Sequence, residues 1–354
     1  MSEDAKQWMI YGATGYTGVL TAERAVALGE RPVLAGRSEE KVRPLAERLG
    51  LPWRVFSLDD PAAIVAGLAG IDAALLIAGP FSATSRPFFK ACLETGTHYL
   101  DITGEMSVFE SVLNRSDKAK AAGIVAMPGV GLDVVPTDCM AAMLHARLPD
   151  ATHLELAIWG LGGLSPGTSK TMVEGLAMGS AERVDGKIVP VPSGHKTRSV
   201  QFVSAKRFIV SVPWGDVSTA FHTTGIPNIR TYFALKPSVV TGMKLNDLLK
   251  PLFGMGAVQA HLKWAAGTFV KGPDAEARQT ARVEIWGESR NAAGTVVQGR
   301  FIVPEGYTFT ADAAIACVRG VRSGAVAAGA VTPAKAFGGD FVMTLPGARD
   351  LSFS

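Results

Sequence analysis

The spacing of three glycines constrains this chain more than any other feature. Gly12, Gly15 and Gly18 stand three residues apart, directly after the short apolar run Trp8–Tyr11 and directly before Val19–Leu28. The first run reads as a strand and the second as a helix. A strand, a glycine loop and a helix in that order are what a bound pyrophosphate requires. One glycine permits the tight turn, one lets the backbone approach the phosphates, and one lets helix and strand pack closely. The anion then meets the N–H groups and the positive dipole end of the helix that begins near Tyr16. Thr14, Tyr16 and Thr17 fill the positions between the glycines and are expected among the nucleotide's contacts.

The alternation continues for more than a hundred residues. Strands are read at Arg31–Ala35, Trp53–Leu58, Ala73–Ala78, His98–Ile102 and Ile124–Met127, with helices at Glu39–Leu49, Pro61–Leu68, Arg86–Thr95 and Phe109–Ala122 between them. Helices of this length between strands imply right-handed crossovers and a parallel sheet, whose ligands sit beyond the carboxyl ends of the strands. Residues 1–138 are therefore read as a Rossmann-type, doubly wound α/β domain.

The end of the second strand selects the cofactor. A site for NAD usually places a carboxylate there to accept from the ribose 2′-hydroxyl. Here the sequence is Gly36-Arg37-Ser38, with no acid before Glu39. A guanidinium can grip a 2′-phosphate through paired bonds, and the Ser38 hydroxyl can add another. The expected cofactor is NADPH. Asp59, ending the third strand, could accept from the adenine amine, and its neighbour Asp60 suits a helix N-cap.

From about Thr152 the composition turns β-rich. Leu154–Trp159, Arg207–Val212, Ile229–Leu235, Ala281–Ser289 and Thr295–Val303 read as strands, and Asp185-Gly186 reads as a hairpin turn. Residues 139–309 are read as an α+β domain on a mainly antiparallel sheet, and 310–354 as a helix and tail returning to the first domain. Two look-alike motifs resolve structurally. Pro166–Lys170 lacks the P-loop pattern and reads as a helix start capped by Thr168 or Ser169. Tyr232 and Lys236 fall in a strand, which separates them by roughly 13 Å.

Composition narrows the classes that remain. Charged residues are 19% of the chain and the net charge is +3, too little for an evident nucleic-acid or membrane surface. No apolar run is long enough for integral membrane insertion, and the polar Met1–Lys6 carries no secretion signal. Cys92, Cys139 and Cys317 are widely separated, which fits reduced thiols and a cytoplasmic location. The scattered histidines suggest no metal site. A homodimer through the β-rich domain would cover the edges of an open sheet.

The stretches Gly12–Gly18, Gly36-Arg37-Ser38, Gly79-Pro80-Phe81, Gly96–Glu105 and Gly131–Asp138, with Trp214–Asp216 and Gly225–Asn228, resemble those of saccharopine dehydrogenase-like oxidoreductases. That family includes saccharopine reductases and stand-alone enoyl reductases. The resemblance implies an NADP-type Rossmann domain and a second α/β domain, with a substrate cleft between them.

Hydride transfer would place the nicotinamide near Gly79, Pro80 and Phe81, and reduction of C=O or C=N needs a proton donor within reach. Tyr99, Asp101, Glu105, Asp133, Asp138 and His222 are candidates, of which Asp101, Glu105 and His222 are put forward as catalytic. The residues alone do not single one out. The expected activity is an NADPH-dependent reduction of a small imine, ketone or activated alkene. The alternative is a non-catalytic NADPH-binding sensor or assembly protein.

Overall fold

The computed structural model describes residues 7–160 and 162–354, so the segment Met1–Lys6, read above for targeting signals, lies outside the described residues. In chain order the elements are β1 (Gln7–Tyr11), α1 (Tyr16–Ala27), β2 (Val33–Gly36), α2 (Glu39–Leu49), β3 (Trp53–Val55), α3 (Pro61–Gly67), β4 (Ile71–Leu76), α4 (Phe81–Thr95), β5 (His98–Asp101), α5 (Met106–Leu113), α6 (Ser116–Ala121) and β6 (Val125–Met127). There follow α7 (Val135–Arg147), β7 (Ala151–Trp159), α8 (Pro166–Met178), β8 (Ser180–Val184), β9 (Lys187–Val191), β10 (Thr197–Gln201), β11 (Lys206–Ser211), α9 (Asp216–Thr224) and β12 (Asn228–Ala234). The remainder comprises α10 (Ser238–Phe253), α11 (Gly256–Phe269), α12 (Ala275–Thr280), β13 (Arg282–Asn291), β14 (Val296–Pro304), α13 (Gly306–Arg322), β15 (Gly329–Ala330), α14 (Pro333–Phe337) and β16 (Arg349–Phe353).

The chain divides into two compact units, one running to Asp133 and including Tyr307–Ala336, the other comprising Val134–Gly306 and Phe337–Ser354. The first unit holds a seven-stranded sheet in the order β15-β6-β5-β4-β1-β2-β3, with every pairing parallel. The order 3-2-1-4-5-6 reverses between β1 and β4, the position at which sheets of this type take a nucleotide. The central strands β1, β2, β4, β5 and β6 are largely buried on both faces, so they read as apolar runs rather than alternating ones. Met9, Val33, Leu76, Phe88, Tyr99 and Ala126 belong to one core cluster of this unit.

The second unit is built on a nine-stranded sheet whose main path is β10-β11-β12-β7-β13-β14-β16. Its pairings are antiparallel except β12 with β7. Asp185 and Gly186 both take positive φ, 47° and 78°, and close the β8–β9 hairpin. Tyr232 lies in β12, and its hydroxyl donates to Glu155 Oε1 at 2.8 Å, a contact within the sheet.

The structure differs from the sequence reading in several places; the helix read over Phe109–Ala122 is divided into α5 and α6, and α7 and α9 stand where no helix was assigned. The start of α8 is capped by Ser165, whose hydroxyl accepts from Thr168 N at 3.2 Å, in place of Thr168 or Ser169. Residues 236–280, assigned no helix above, form α10, α11 and α12. The tail is divided: 307–336 joins the first unit, whereas β16 pairs antiparallel with β14 in the second.

Candidate functional site

The loop after β1 is shaped by its glycines, each for a different reason. Gly12 has φ +90°, and a Cβ there would stand 2.8 Å from Ala78 N, against the backbone at the end of β4. A Cβ on Gly18 would come within 2.3 Å of Gly12 O and 2.8 Å of Ala13 C, so only glycine lets α1 pack on the loop. Gly15, exposed at the N-cap of α1, would meet only Gly12 O at 3.4 Å and leaves its outer side open. Two glycines are thus demanded by the protein's own backbone, and the third opens toward the space before a helix start. That arrangement fits a pyrophosphate. Tyr16, at the first position of α1, stacks edge-on against Tyr307 with ring centroids 4.8 Å apart.

The ends of β1, β2 and β3 converge on the Tyr11 hydroxyl, which donates to Phe56 O at 2.9 Å. Burial pushes this phenol up to about 12; the Arg37 charge acts against the shift and the Asp59 charge adds to it. Arg37 and Asp59 are both exposed. Ser38 is the N-cap of α2, but its side chain makes no capping bond there. Asp60 does cap, accepting from Ala62 N at 3.0 Å and Ala63 N at 3.2 Å. Asp59 instead accepts from the Ser57 hydroxyl at 3.0 Å.

At the ends of β4 and β5 the structure separates the acids by what they hold. The Gly79–Pro80 peptide is cis, and α4 begins immediately after it. Buried Glu105 accepts from Phe81 N at 2.9 Å through one oxygen and from Ser82 N at 2.7 Å through the other. It therefore caps α4, a helix that precedes it in the chain. Glu105→Ala is expected to lower stability by about 2 kcal/mol, because two charge-assisted bonds are lost and one of their donors, Phe81 N, belongs to a buried residue whereas Ser82 is exposed. Urea unfolding of the variant beside the parent measures this. A cost below about 0.5 kcal/mol, the size of an ordinary surface change, would count against it.

Asp101 is fully buried and takes the Tyr99 hydroxyl on Oδ2. Its Oδ1 accepts from Thr103 N at 3.0 Å and Gly129 N at 2.9 Å. Burial raises its carboxyl to about 6, with the bonds from Tyr99, Thr103 and Gly129 pulling the other way. It ties the end of β5 to the loop after β6. Asp138 is buried in the first turn of α7 and accepts from the Thr223 hydroxyl at 2.5 Å. His222 is half-buried on α9 in the second unit, with its ring edge-on to Phe221.

Asp133 differs from these. It is half-buried, and a Cβ on Gly104 would lie 2.6 Å from its Oδ2, so the carboxyl rests directly on the backbone beyond β5. Among the described residues no hydrogen bond or ion pair is recorded for it, and burial pushes the group up to about 7. The loop that carries it is pinned by Leu132 N, which donates to the Thr310 hydroxyl of α13 at 3.0 Å. The sequence offered Asp133 as one acid among several. What marks it, an acid with no neighbour to ionise it, is a property of packing and leaves no trace in spacing. The three cysteines are buried thiols, and burial pushes Cys92 and Cys317 far above the usual thiol range, which suits structural roles.

Residues 8–127 match the saccharopine dehydrogenase NADP binding domain. Curated relatives include a trans-acting enoyl reductase of Mycobacterium leprae, 35% identical over 159 residues, which are 42% of this chain and 38% of that protein. Another, from Mycobacterium bovis, is 29% identical over 199 residues, 52% of this chain and 48% of that protein. The chain thus matches less than half the length of these relatives. The fold as a whole is similar to saccharopine dehydrogenase (L-Glu forming) of Saccharomyces cerevisiae, with TM-score 0.66 at 14% identity, covering 99% of this chain and 100% of that one. It is also similar to homospermidine synthase of Legionella pneumophila, solved with NAD, with TM-score 0.61 at 10% identity over 99% of this chain and 91% of that one. Residues 8–127 are thus similar to the NADP binding domain of saccharopine dehydrogenases, and the fold is saccharopine dehydrogenase-like.

Proposed function

We propose that the protein is an NADPH-dependent reductase acting on a small imine, ketone or activated alkene. The observation that carries this reading is a continuous run along the carboxyl edge of the parallel sheet. Gly12 lies on Ala78, Glu105 holds Phe81 and Ser82, and Asp133 lies on Gly104. A nucleotide loop and an unpaired acid therefore share one edge of one sheet, the edge at which such sheets bind ligands.

Gly12, Thr14, Gly15, Tyr16, Thr17 and Gly18 would hold the pyrophosphate, with Arg37 and Ser38 on the 2′-phosphate and Asp59 toward the adenine. Gly79, Pro80 and Phe81 would border the nicotinamide. When bound, NADPH supplies two electrons as a hydride. The protein must then deliver one proton to the oxygen, nitrogen or carbon left with the negative charge. Asp133 suits that role, because a carboxyl pushed up to about 7 holds a proton near neutral pH and releases it without a large penalty. Asp101 and Glu105, proposed from sequence as catalytic, have backbone N–H groups on their carboxylates and act in this reading as the supports of the Asp133 loop and of α4. His222 stays with the second unit as a candidate substrate contact. A cytoplasmic location and a homodimer belong to the same proposal; no described helix is long and apolar enough to cross a membrane.

The test is a fluorescence titration with NADPH and NADH, followed by a turnover panel of imines, ketones and activated alkenes. NADPH is expected to bind in preference, and Arg37→Asp is expected to weaken it by about 1.5–3 kcal/mol, the scale of a bond to a charged group. An unchanged NADPH affinity in that variant would remove the 2′-phosphate assignment. Tight NADPH binding without turnover of any panel member would favour a non-catalytic binding protein.

A further inference from the structure

Most of the exposed large apolar side chains of the second unit lie on two consecutive helices. On α10, Leu245, Leu248 and Leu252 are 55%, 76% and 46% exposed, and Met255, at the N-cap of α11, is 54% exposed. The spacing of the three leucines, three and four residues, puts them on one side of α10. The opposite side faces α8, where Asn246 donates to Leu176 O at 3.2 Å. On α11, Trp264 and Phe269 are 59% and 73% exposed, with ring centroids 6.1 Å apart. That helix is held to α8 from its other side, by Gln259 on Val173 O at 2.9 Å and Lys263 on Glu174 at 2.6 Å. Neither α10 nor α11 has a buried residue. Scattered apolar side chains are ordinary on a protein surface, but a concentration on two consecutive helices marks a contact.

Charge identifies what covers it. Residues 236–271 contain Lys236, Lys244, Lys250, Lys263 and Lys271 against a single acid, Asp247. Asp247 is taken by Lys250 at 2.6 Å and by the Ser193 hydroxyl at 2.6 Å. Lys236, Lys244 and Lys271 are exposed, and among the described residues no acid is paired with them. This segment carries more positive charge than the whole chain's net +3, so the small overall value conceals a local basic, apolar surface. A second copy of the chain fits poorly. Self-pairing would set two copies of this basic segment face to face, with Asp247, its one acid, already taken by Lys250 and Ser193. At 16 and 14 residues the helices are too short to span a bilayer. Leucines and an aromatic pair beside unpaired lysines are the composition of a helix lying in a lipid headgroup region.

We infer that α10 and α11 form a docking surface for an anionic lipid bilayer. The lysines meet the headgroups while Leu248, Leu252, Trp264 and Phe269 enter the acyl boundary.

The experiment is flotation of the full chain with vesicles of phosphatidylcholine alone and of phosphatidylcholine mixed with phosphatidylserine. The chain is expected to float with the mixed vesicles, and less so as salt shortens the screening length. Leu248→Asp and Lys244→Glu are each expected to lower the partition coefficient by about tenfold or more. Both positions are exposed, and an unchanged NADPH titration serves as the control for folding. Failure to float with the anionic vesicles overturns the inference. So does flotation that is equal on neutral vesicles, or that Leu248→Asp leaves unchanged. A dimer that light scattering shows to be dissolved by Leu248→Asp would assign the face to a second copy instead. None of these outcomes bears on the reductase proposal, which rests on the first unit.

Discussion

Asp133→Asn is expected to cut NADPH-dependent turnover by about 10²–10⁴-fold, the usual contribution of a positioned proton donor, with NADPH affinity retained. The same substitution is expected to make the protein more stable in alkaline solution. Burial raises this carboxyl from 3.8 to about 7, so the folded state binds the proton more tightly than the unfolded one. Stability therefore falls as pH rises from the ordinary carboxylate range through 7, where the folded group must ionise against its surroundings. Asparagine keeps the shape and never ionises. Above pH 7 the variant should exceed the parent by about 2 kcal/mol, with residual solvent contact limiting the gain, and the two should converge below the ordinary carboxylate range. Thermal unfolding across pH and single-turnover kinetics read the two effects separately. A variant that turns over normally would exclude Asp133 as the donor, whatever its stability.

Gly18→Val is expected to abolish saturable NADPH binding and to cost about 1–3 kcal/mol of stability, the range for overpacking in a filled site. Even the first added carbon would lie 2.3 Å from Gly12 O, and backbone cannot rotate aside as a flexible side chain can. The relief open to the molecule is to push α1 off the loop, which moves its N-terminus away from the anion it would receive. Gly15→Ala is the informative companion. Its Cβ would meet only Gly12 O at 3.4 Å, so the unliganded fold should tolerate it while nucleotide affinity falls. Equal loss of stability in both variants would mean that the loop serves packing alone.

What could be read from the chain and what could not divide along the range of the interactions. The strand–loop–helix unit around Gly12 is written in consecutive residues, and so is the alternation that gives the parallel sheet. The Asp60 cap and the Asp185-Gly186 hairpin are equally local. The capping role of Glu105, which the sequence offered as a catalytic acid, escaped the reading because its partners lie 23 and 24 positions earlier, a contact made only when two strand ends come together. β15, two residues long, has no periodicity to detect. The helices α10 and α11 were missed because their apolar residues lie on exposed as well as inward sides, and because Gly242 and Pro251 interrupt α10. The feature that hid them from pattern reading is the one that marks them as a surface for something else.

The way the chain is shared between its two units also sets the order in which it can be made. The nucleotide-binding sheet receives its last strand, β15, and its helix α13 from residues that follow the whole of Val134–Gly306. On a ribosome, the glycine loop emerges well before α13 and β15, so the unit that holds it stays incomplete until residues through 336 have been synthesised. Residues 8–127, though recognisable as a domain, leave out Thr310, which fixes the Asp133 loop, and Asp312, which pairs with Arg24 of α1. A fragment cut at the family boundary would contain the nucleotide signature without the groups that hold it in shape. The cofactor half of this protein is completed only after the unit inserted within it has been made.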